Sequence, residues 1–390
     1  RAGFGITGIN VGSPYNSLAS LDYSGYFLYN GQWINALGPV RNDNPNLRWE
    51  KKHEYNFGID FDMFGGRFGG AIDFYMRDTK DGLWDYAVPS PPYQYGSIMA
   101  NVAEIRNMGL EVLINAIPVQ TKDFEWSTNL SYSTNKNELK SISNDEFQMS
   151  SDYFYAGHTG EPIQTTTHRV KVGCPIGDFY GLKSVGLTTD GKWLVERFDE
   201  NGKKFYDYAN NATEADWQIL GNGVPTHYLN FNNTLRYKNW DLTIGMRGAF
   251  GFQILNYQEM YYANPTIQYN VLNSAFDTHP TYEIVDGGYG IKRASKDVTI
   301  SDSQRYVSEY VEDGDYWKID NVTLGYTFNT KTWKYVKNLR LYASCLNLAT
   351  ITGYKGIDPE VRMTGLDAGT DSRDKYPTNR SFTFGVNVTF

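Results

Sequence analysis

The chain of 390 residues has a hydrophobic fraction of 41% and an aromatic fraction of 16% that includes 31 tyrosines and 9 tryptophans. Its formal net charge is -8 and its lysines and arginines form no cluster, so the composition argues against nucleic acid as a partner. No window approaches 18 consecutive apolar residues, which excludes a transmembrane helix but leaves membrane-crossing strands open. Cys174 and Cys345 are the only cysteines, and their surroundings suggest neither a metal site nor a catalytic dyad.

The first predicted elements are extended. A short strand-like run at Phe4 and Ile6 precedes a segment rich in Gly, Asn, Ser and Tyr, which has no period up to about residue 47 and is predicted to be a loop. Within residues 53–76 every second residue is mostly apolar, apart from a turn at Gly65-Gly66. Such alternation is typical of strands with one apolar and one polar face, so this segment is predicted to form a hairpin with a tight turn.

The middle of the chain alternates between irregular segments and further hairpins. Residues 78–105 contain prolines and aromatic residues without a period and are predicted to form a long aromatic loop. Alternation returns at 108–133 and again at 229–250, and each of these segments is predicted to be a hairpin. Residues 137–226 form the longest irregular piece, with only short strand-like parts.

The last part of the chain contains three predicted strands. A loop rich in Tyr and Asp at 253–315 leads to alternating runs at 322–328 and 339–345. A further loop at 349–379 precedes the final strand. In residues 381–390 every second position is apolar and the chain stops on an aromatic residue, which describes a strand of the length that crosses a bilayer.

Two regularities favour a membrane barrel over a soluble β-sandwich. Short and long connections alternate, which places the short turns at one end of the sheet and the long loops at the other, as in outer-membrane barrels with long extracellular loops. The polar faces contain charged residues, and burying these unpaired in a soluble core costs several kcal/mol each. We therefore predict an all-β, transmembrane antiparallel β-barrel with about ten strands in this chain, whose apolar face meets outer-membrane lipid.

At residues 44–50 the sequence N-P-N-L-R-W-E resembles the N-P-x-L-x-W-E signature of SusC-type TonB-dependent transporters, the SusC/RagA-like family. Further segments that resemble this family occur in order along the whole chain. They are Arg1–Gly8, Asp73–Tyr75, Thr79–Asp81, Pro89–Pro91, Asn107–Glu111, Asp123–Trp126, Pro175–Gly181, Tyr237–Trp240, Ile351–Glu360, Tyr376–Pro377 and Arg380–Gly385. In addition, Thr383, Gly385, Val388 and Phe390 are similar to the C-terminal signal by which bacterial outer-membrane barrels are recognised for insertion.

The resemblance implies a 22-stranded barrel closed by an N-terminal plug, covered outside by a SusD-like surface lipoprotein and energised by TonB. Residues 1–390 are similar to the C-terminal part of such a barrel, and the plug, the TonB-binding segment and the earlier strands have no counterpart in them. The implied function is TonB-dependent import of oligomeric nutrients across the outer membrane. Oligosaccharides are the first expectation and oligopeptides the alternative. A weaker alternative is a soluble β-sandwich that binds glycans, or a glycosidase.

A barrel of only ten strands has an interior filled by its own side chains and no room for an oligomer. In a wider barrel, the strands at 1–9 and 380–390 would each have an unpaired edge, which a bilayer cannot satisfy. We therefore expect these two strands to pair with strands outside this chain rather than with each other.

No cofactor, metal site or catalytic residue is predicted. The five histidines show no metal-ligand spacing, and no nucleophile elbow or phosphate-binding motif occurs. At Asp199–Gly202, where many relatives in the family have a loop that looks like a calcium site, the lysines that follow argue against calcium. Acidic loop residues are the candidates for a glycosidase pair, but charged loop residues are usually just solvated, so an enzyme is the weaker reading. They are Glu309, Glu312, Asp313, Asp315, Asp371 and Asp374.

The predicted substrate-binding residues are aromatic side chains in loops, because flat rings stack on sugar faces and pack against peptide side chains. The same rings could instead serve in a membrane-interface belt, in loop packing or in contact with the lipoprotein. The candidates are Trp84, Tyr86, Tyr93, Tyr95, Tyr261, Tyr262, Tyr269 and Tyr289.

Overall fold

The computed structural model describes residues 1–9 and 15–390, so residues 10–14 of the first predicted loop lie outside the described residues. The described chain consists mostly of strands. In chain order they are β1 (Ala2–Ile9), β2 (Leu21–Tyr29), β3 (Gln32–Pro39), β4 (Glu50–Met63), β5 (Phe68–Ala87), β6 (Ser97–Gln120), β7 (Phe124–Thr134), β8 (Lys136–Ile142), β9 (Tyr153–His158), β10 (Thr166–Lys171), β11 (Asp178–Gly181), β12 (Ser184–Leu187), β13 (Trp193–Phe198), β14 (Lys204–Tyr208), β15 (Gln218–Asn222), β16 (His227–Tyr237), β17 (Trp240–Phe250), β18 (Gln253–Asn256), β19 (Tyr282–Val285), β20 (Gly290–Arg293), β21 (Val311–Asp313), β22 (Tyr316–Thr327), β23 (Asn338–Thr352), β24 (Thr370–Asp371) and β25 (Ser381–Thr389).

Helical structure is confined to the connections between strands of the main sheet. One short α-helix, α1, spans Tyr257–Tyr262. The 3-10 turns are Ala209–Asn211, Glu214–Asp216, Asn273–Phe276, Asp286–Gly288 and Ser308–Tyr310. Among the residues that the structure describes, no helix has both the length and the apolar character needed to cross a bilayer.

The main sheet is a single antiparallel path of ten strands in the order β1-β4-β5-β6-β7-β16-β17-β22-β23-β25, with β8 paired to part of β6. The first predicted strand, all three predicted hairpins and the last three predicted strands lie in this path, which confirms the prediction of about ten strands. Among the described residues β1 pairs only with β4 and β25 only with β23, and no ladder joins β1 to β25. That these two strands pair with strands outside this chain stays a prediction.

The two faces of the sheet differ in chemistry as the alternation predicts. A row of directly opposed residues crosses one face through Leu235, Leu242 and Leu324 to Ala343 and Phe384. The residues of this row are half-buried to exposed, and Phe384 keeps 81% of its surface accessible. The chain itself does not fully bury the apolar side chains of this row, so the face requires an apolar environment.

The opposite face of the sheet is polar and internally hydrogen-bonded. The hydroxyl groups of Thr323 and Ser344 on neighbouring strands lie 2.8 Å apart. Asn129 donates to Asn115 over 2.7 Å. These bonds satisfy polar groups locally, and the rest of the face can be solvated.

The connections have the predicted asymmetry, with one correction. The short turns, at 64–67, 121–123, 238–239 and 328–337, share one end of the sheet. At the other end, however, the predicted loop at 78–105 is wrong for most of its length. β5 continues to Ala87 and β6 begins at Ser97, which leaves a connection of residues 88–96 only.

The alternation fails in this extension for two physical reasons. Register shifts between Thr79 and Leu83 interrupt the ladder between β5 and β6. Beyond them the consecutive residues Ala100–Ala103 of β6 are all buried, so both faces of the strand are covered there. The loop predicted up to residue 47 likewise contains a hairpin, β2–β3, whose two faces are both exposed and therefore show no period.

The main hydrophobic core lies in the long connections rather than in the main sheet. Residues 135–226 and 251–315 fold against each other into a compact layer, which we call the cap. Its parts include a four-stranded sheet (β15-β11-β10-β9) and a three-stranded sheet (β12-β13-β14). The cap is centred on fully buried residues that include Phe179, Trp193 and Tyr261.

Candidate functional site

The predicted aromatic residues near β5 and β6 pack in a small core of their own. The rings of Trp84 and Phe154 have centroids 4.5 Å apart, and those of Tyr86 and Phe147 lie 5.3 Å apart. Tyr93 packs partly buried against the same cluster. These rings hold the extended ends of β5 and β6 against the connection that follows β8.

Tyr95 borders a separate cavity of about 470 Å³. Asn42 lies beside it and donates hydrogen bonds to the carbonyl oxygens of Tyr95 and Ser97, each over 2.7 Å. Tyr95 is therefore positioned by the connection between β1 and β4 and lies apart from the other predicted rings.

The remaining predicted tyrosines are distributed over the cap. Tyr261 is fully buried, and its hydroxyl donates to the carbonyl oxygens of Thr159 and Gly160. Tyr262 is half-buried, and its ring meets that of Tyr269 edge-on at 6.1 Å. Tyr269 itself is exposed.

Tyr289 is exposed at another part of the cap. It donates to a carboxylate oxygen of Asp199 over 2.9 Å, and the ammonium group of Lys203 lies 3.9 Å from the centre of its ring. Asp199 also accepts from the backbone N–H groups of Asn201 and Lys203. The carboxylate of Asp199 thus accepts hydrogen bonds from donors of the protein itself.

The eight predicted rings do not form one site.

A cavity of about 530 Å³ lies between the two connections that build the cap, and sequence reasoning missed it. Trp217 forms part of its wall, and its ring is met edge-on by Tyr155 and Tyr180 at 6.0 Å each. Glu214, Gln304 and Arg305 also line it. These residues are far apart in sequence and follow no motif, so only the fold brings them together. We call it the cap cavity.

The polar groups of the cap cavity are only partly occupied. Glu214 accepts a hydrogen bond from the hydroxyl of Tyr155. Arg305 donates to Asn210 through one terminal nitrogen, whereas its Nε is buried and has no partner among the described residues. Gln304 donates to the backbone carbonyl of Tyr261, and the same nitrogen lies 3.4 Å from the hydroxyl of Tyr269. The exposed Tyr269 thus adjoins this cavity.

A network of charges on the polar face of the sheet holds the connection 353–380. The ammonium group of Lys318 is 1% exposed and lies 2.8 Å from Asp358 and 2.6 Å from Glu360. Arg247 also binds Glu360, and it reaches Asp320 at 3.2 Å. Asp358 and Glu360 belong to the segment Ile351–Glu360 that resembles the family. The network anchors this segment to β17 and β22.

Three of the carboxylates considered above for a glycosidase pair take part in loop packing. Glu312 accepts from the side chain of Asn256 and from the backbone of Lys355. Asp315 accepts from the backbone of Gly251 over 2.6 Å. Asp371 accepts from the hydroxyl of Tyr354 over 2.6 Å.

The charge network makes the connection 353–380 sensitive to acid. Burial by itself raises the pKa of Asp358, but hydrogen bonds from Lys318 and Thr378 outweigh it, so the pKa lies below its ordinary value. The pKa of Glu360 is also lowered, because Lys318 and Arg247 outweigh burial. A lowered pKa contributes stability that is present above about pH 4 and is lost as the pH falls through the pKa in the folded state.

We expect the connection 353–380 to become more susceptible to an acid-active protease as the pH is lowered from 6 to about 3. The pKa of Asp371, which burial raises, works in the opposite direction. A comparison with Lys318→Met isolates the contribution of the network. Without the ammonium group the two carboxylates are more easily protonated, so acid should protect the connection of this variant from cleavage. Equal pH profiles for the two proteins would contradict the expectation.

In the terminal strand, Gly385 has a structural role besides its place in the predicted insertion signal. It lies directly opposite Tyr342 of β23, and a Cβ atom at this position would collide with the tyrosine ring. An aromatic ring that covers a glycine on the neighbouring strand is a known device of β-sheets. Val388 and Phe390 are exposed at the end of the chain.

Comparisons with known proteins agree with this architecture. No family model matches the chain. The TonB-dependent receptor P3 of Formosa agariphila is 31% identical over 414 residues, which cover 100% of this chain and 39% of that protein. The TonB-dependent receptor SusC of Bacteroides thetaiotaomicron is 29% identical over 410 residues, which cover 100% of this chain and 37% of that protein. A solved chain of the RagAB peptide transporter has a TM-score of 0.80 at 20% identity, over 100% of this chain and 40% of that chain.

The structural likeness shows that the two chains share an all-β fold, and the sequence likeness extends over the whole of this chain. The chain belongs to the SusC/RagA-like family of TonB-dependent receptors, as its motifs predicted. It spans about two fifths of the length of the relatives that it matches.

Proposed function

We propose that the chain forms part of an outer-membrane barrel that imports oligosaccharides with energy from TonB. The observation that supports this proposal is the sheet itself, which has one exposed apolar face, one polar face and its long connections at a single end. An apolar outer face surrounded by lipid and a polar inner face around a water-filled lumen are the features of such barrels. A SusD-like surface lipoprotein is the proposed partner at the end that carries the cap.

The two open edges of the sheet support a wider barrel. Within the part of the chain that the structure describes, β1 and β25 each have one unpaired side. Unpaired backbone groups are not tolerated in the hydrocarbon region, so both edges need neighbouring strands. We propose that these strands, together with a plug and a TonB-binding segment, belong to a part of the complete protein outside this chain.

Oligopeptides are the second candidate substrate. The solved chain with the same fold comes from a peptide transporter, and the cap cavity contains both a carboxylate and a guanidinium group. Growth tests distinguish the two substrates. A strain without the complete protein should fail to grow on oligosaccharides as the carbon source and should still grow on oligopeptides. The reverse result would favour peptide import.

The membrane location is tested by fractionation of cells that carry the complete protein. We expect the protein in the outer-membrane fraction, extractable only with detergent, and we expect Phe390→Ala to lower the assembled amount because Phe390 belongs to the predicted insertion signal. Tyr376→Ala removes another exposed ring and serves as the matched control. A soluble, monodisperse monomer would contradict the barrel, and an unchanged amount of the Phe390 variant would contradict the insertion signal.

A further inference from the structure

We propose that the cap cavity binds a sugar unit of the oligosaccharide substrate, with Trp217 as the apolar wall and with Glu214 and Arg305 as hydrogen-bonding groups. The inference rests on the proposed function and assigns a binding site to it. The volume of about 530 Å³ falls within the range of small-molecule sites. One or two sugar residues would occupy it.

The wall of the cap cavity is held in place before any ligand arrives. Tyr155 and Tyr180 meet the Trp217 ring edge-on, and their own rings stack with centroids 6.1 Å apart. The guanidinium group of Arg169 lies 3.8 Å from the centre of the Tyr180 ring. Because these contacts restrict the indole, little conformational entropy remains to be lost when a ligand packs against it. A sugar presents C–H groups on the faces of its ring, which suit such an aromatic wall.

The polar groups require a ligand that both donates and accepts hydrogen bonds. The Glu214 carboxylate can only accept, whereas the unpartnered Nε of Arg305 can only donate. The two side chains line the same cavity, yet in the described part of the chain they form no ion pair with each other. Neighbouring sugar hydroxyls satisfy both groups. An apolar ligand would leave the Arg305 Nε unsatisfied, and a purely anionic one would meet the Glu214 charge.

The position of the cavity agrees with a role in substrate capture. Its lining residues come from the connections 135–226 and 251–315, at the end of the sheet that carries the cap. Gln304 connects it to Tyr269, which is 53% exposed. A longer oligosaccharide could therefore extend from the cavity over this tyrosine, which is one of the residues predicted from the sequence.

The test is isothermal titration calorimetry with the complete protein in detergent, titrated with maltopentaose, laminaripentaose, xylopentaose and, for comparison, tetra-alanine. At least one pentasaccharide should bind, and Trp217→Ala should weaken this binding about tenfold or more, as expected for a central aromatic contact. Arg305→Met and Glu214→Gln should each weaken it as well. These two variants keep the length of their side chains and test the site independently if Trp217→Ala fails to fold. Trp333→Ala removes an exposed tryptophan at the opposite end of the sheet and should bind as the unaltered protein does.

Several results would overturn the inference. Unchanged pentasaccharide affinity in the Trp217, Arg305 and Glu214 variants would place the sugar elsewhere, while oligosaccharide-dependent growth would still support the proposed function. Binding of tetra-alanine that depends on Trp217 would assign the cavity to peptides. No binding of any pentasaccharide to the unaltered protein would also reject the sugar site. The growth test would contradict the proposed function itself if a strain without the protein still grew on oligosaccharides.

Discussion

Replacing Lys318 with methionine is expected to destabilise the packing of the connection 353–380 by about 3–5 kcal/mol, because it leaves the buried carboxylate of Asp358 without its counter-charge. Lys318 is almost completely buried and binds both carboxylate oxygens of Asp358, at 2.8 and 2.9 Å, as well as Glu360. Methionine has a similar length and apolar stem, so the change removes the charge while it keeps most of the packing. The effect should therefore be mainly electrostatic.

Limited proteolysis of the detergent-solubilised protein measures this effect. Where cleavage follows local opening, a loss of about 3 kcal/mol raises the rate of cleavage in the connection more than 100-fold. Lys334→Met is the matched control, because Lys334 is exposed in the short turn at 328–337. Adding Asp358→Asn to the Lys318 variant should restore part of the protection, since it removes one unpaired charge. Equal cleavage of the Lys318 and Lys334 variants would show that the network does not hold the connection.

Trp193→Ala is expected to have an effect of similar size on the cap. Trp193 is among the largest fully buried side chains, and its ring meets those of Tyr310 and His279 edge-on at 5.9 and 6.2 Å. Removing a buried tryptophan down to alanine typically costs about 3–5 kcal/mol, because contacts are lost and a cavity remains. The near-ultraviolet circular dichroism of the cap aromatics should weaken, and the cap should unfold at a lower temperature.

Trp193→Phe provides a sharp comparison at the same position. The indole Nε1 of Trp193 is buried and finds no hydrogen-bond partner in residues 1–9 and 15–390, so phenylalanine removes an unsatisfied donor and keeps most of the apolar ring. It should therefore cost much less than alanine. If phenylalanine destabilised the cap as much as alanine does, the loss of an aromatic ring could not explain the destabilisation. Trp333→Ala, an exposed site, should leave the thermal unfolding of the cap unchanged.

The main sheet could be predicted from the sequence because each of its strands repeats one simple pattern. Residues 53–63 alternate between apolar and polar side chains and pair with residues 68–78 in an unbroken register. The short turns follow directly from these strands. The apolar–polar alternation disappears where both faces of a strand have similar surroundings, as at the ends of β5 and β6. The length of these two strands could not be predicted for this reason.

The cap could not be predicted because it depends on contacts between distant segments. Its strands are mostly four to six residues long, too short for a period to be recognised. Leu182 forms a bridge with Val307, and the Lys192 ammonium group reaches the carbonyl of Ser301. The cap cavity therefore has no local sequence pattern, although Trp217 is one of only 9 tryptophans. In the sequence Lys318 is only a charged residue next to Trp317, and no local pattern indicates its ion-pair partners.

The unusual length of β5 and β6 has a consequence for what the cell surface displays. They contain 20 and 24 residues, whereas about 9–11 residues of a tilted strand cross the hydrocarbon core. In the proposed barrel, roughly half of each strand would stand beyond the lipid, as a stiff stalk that rises from the membrane beside the cap. The tip at residues 88–96 would then be displayed well above the membrane, which makes it a natural position for an affinity tag or an epitope.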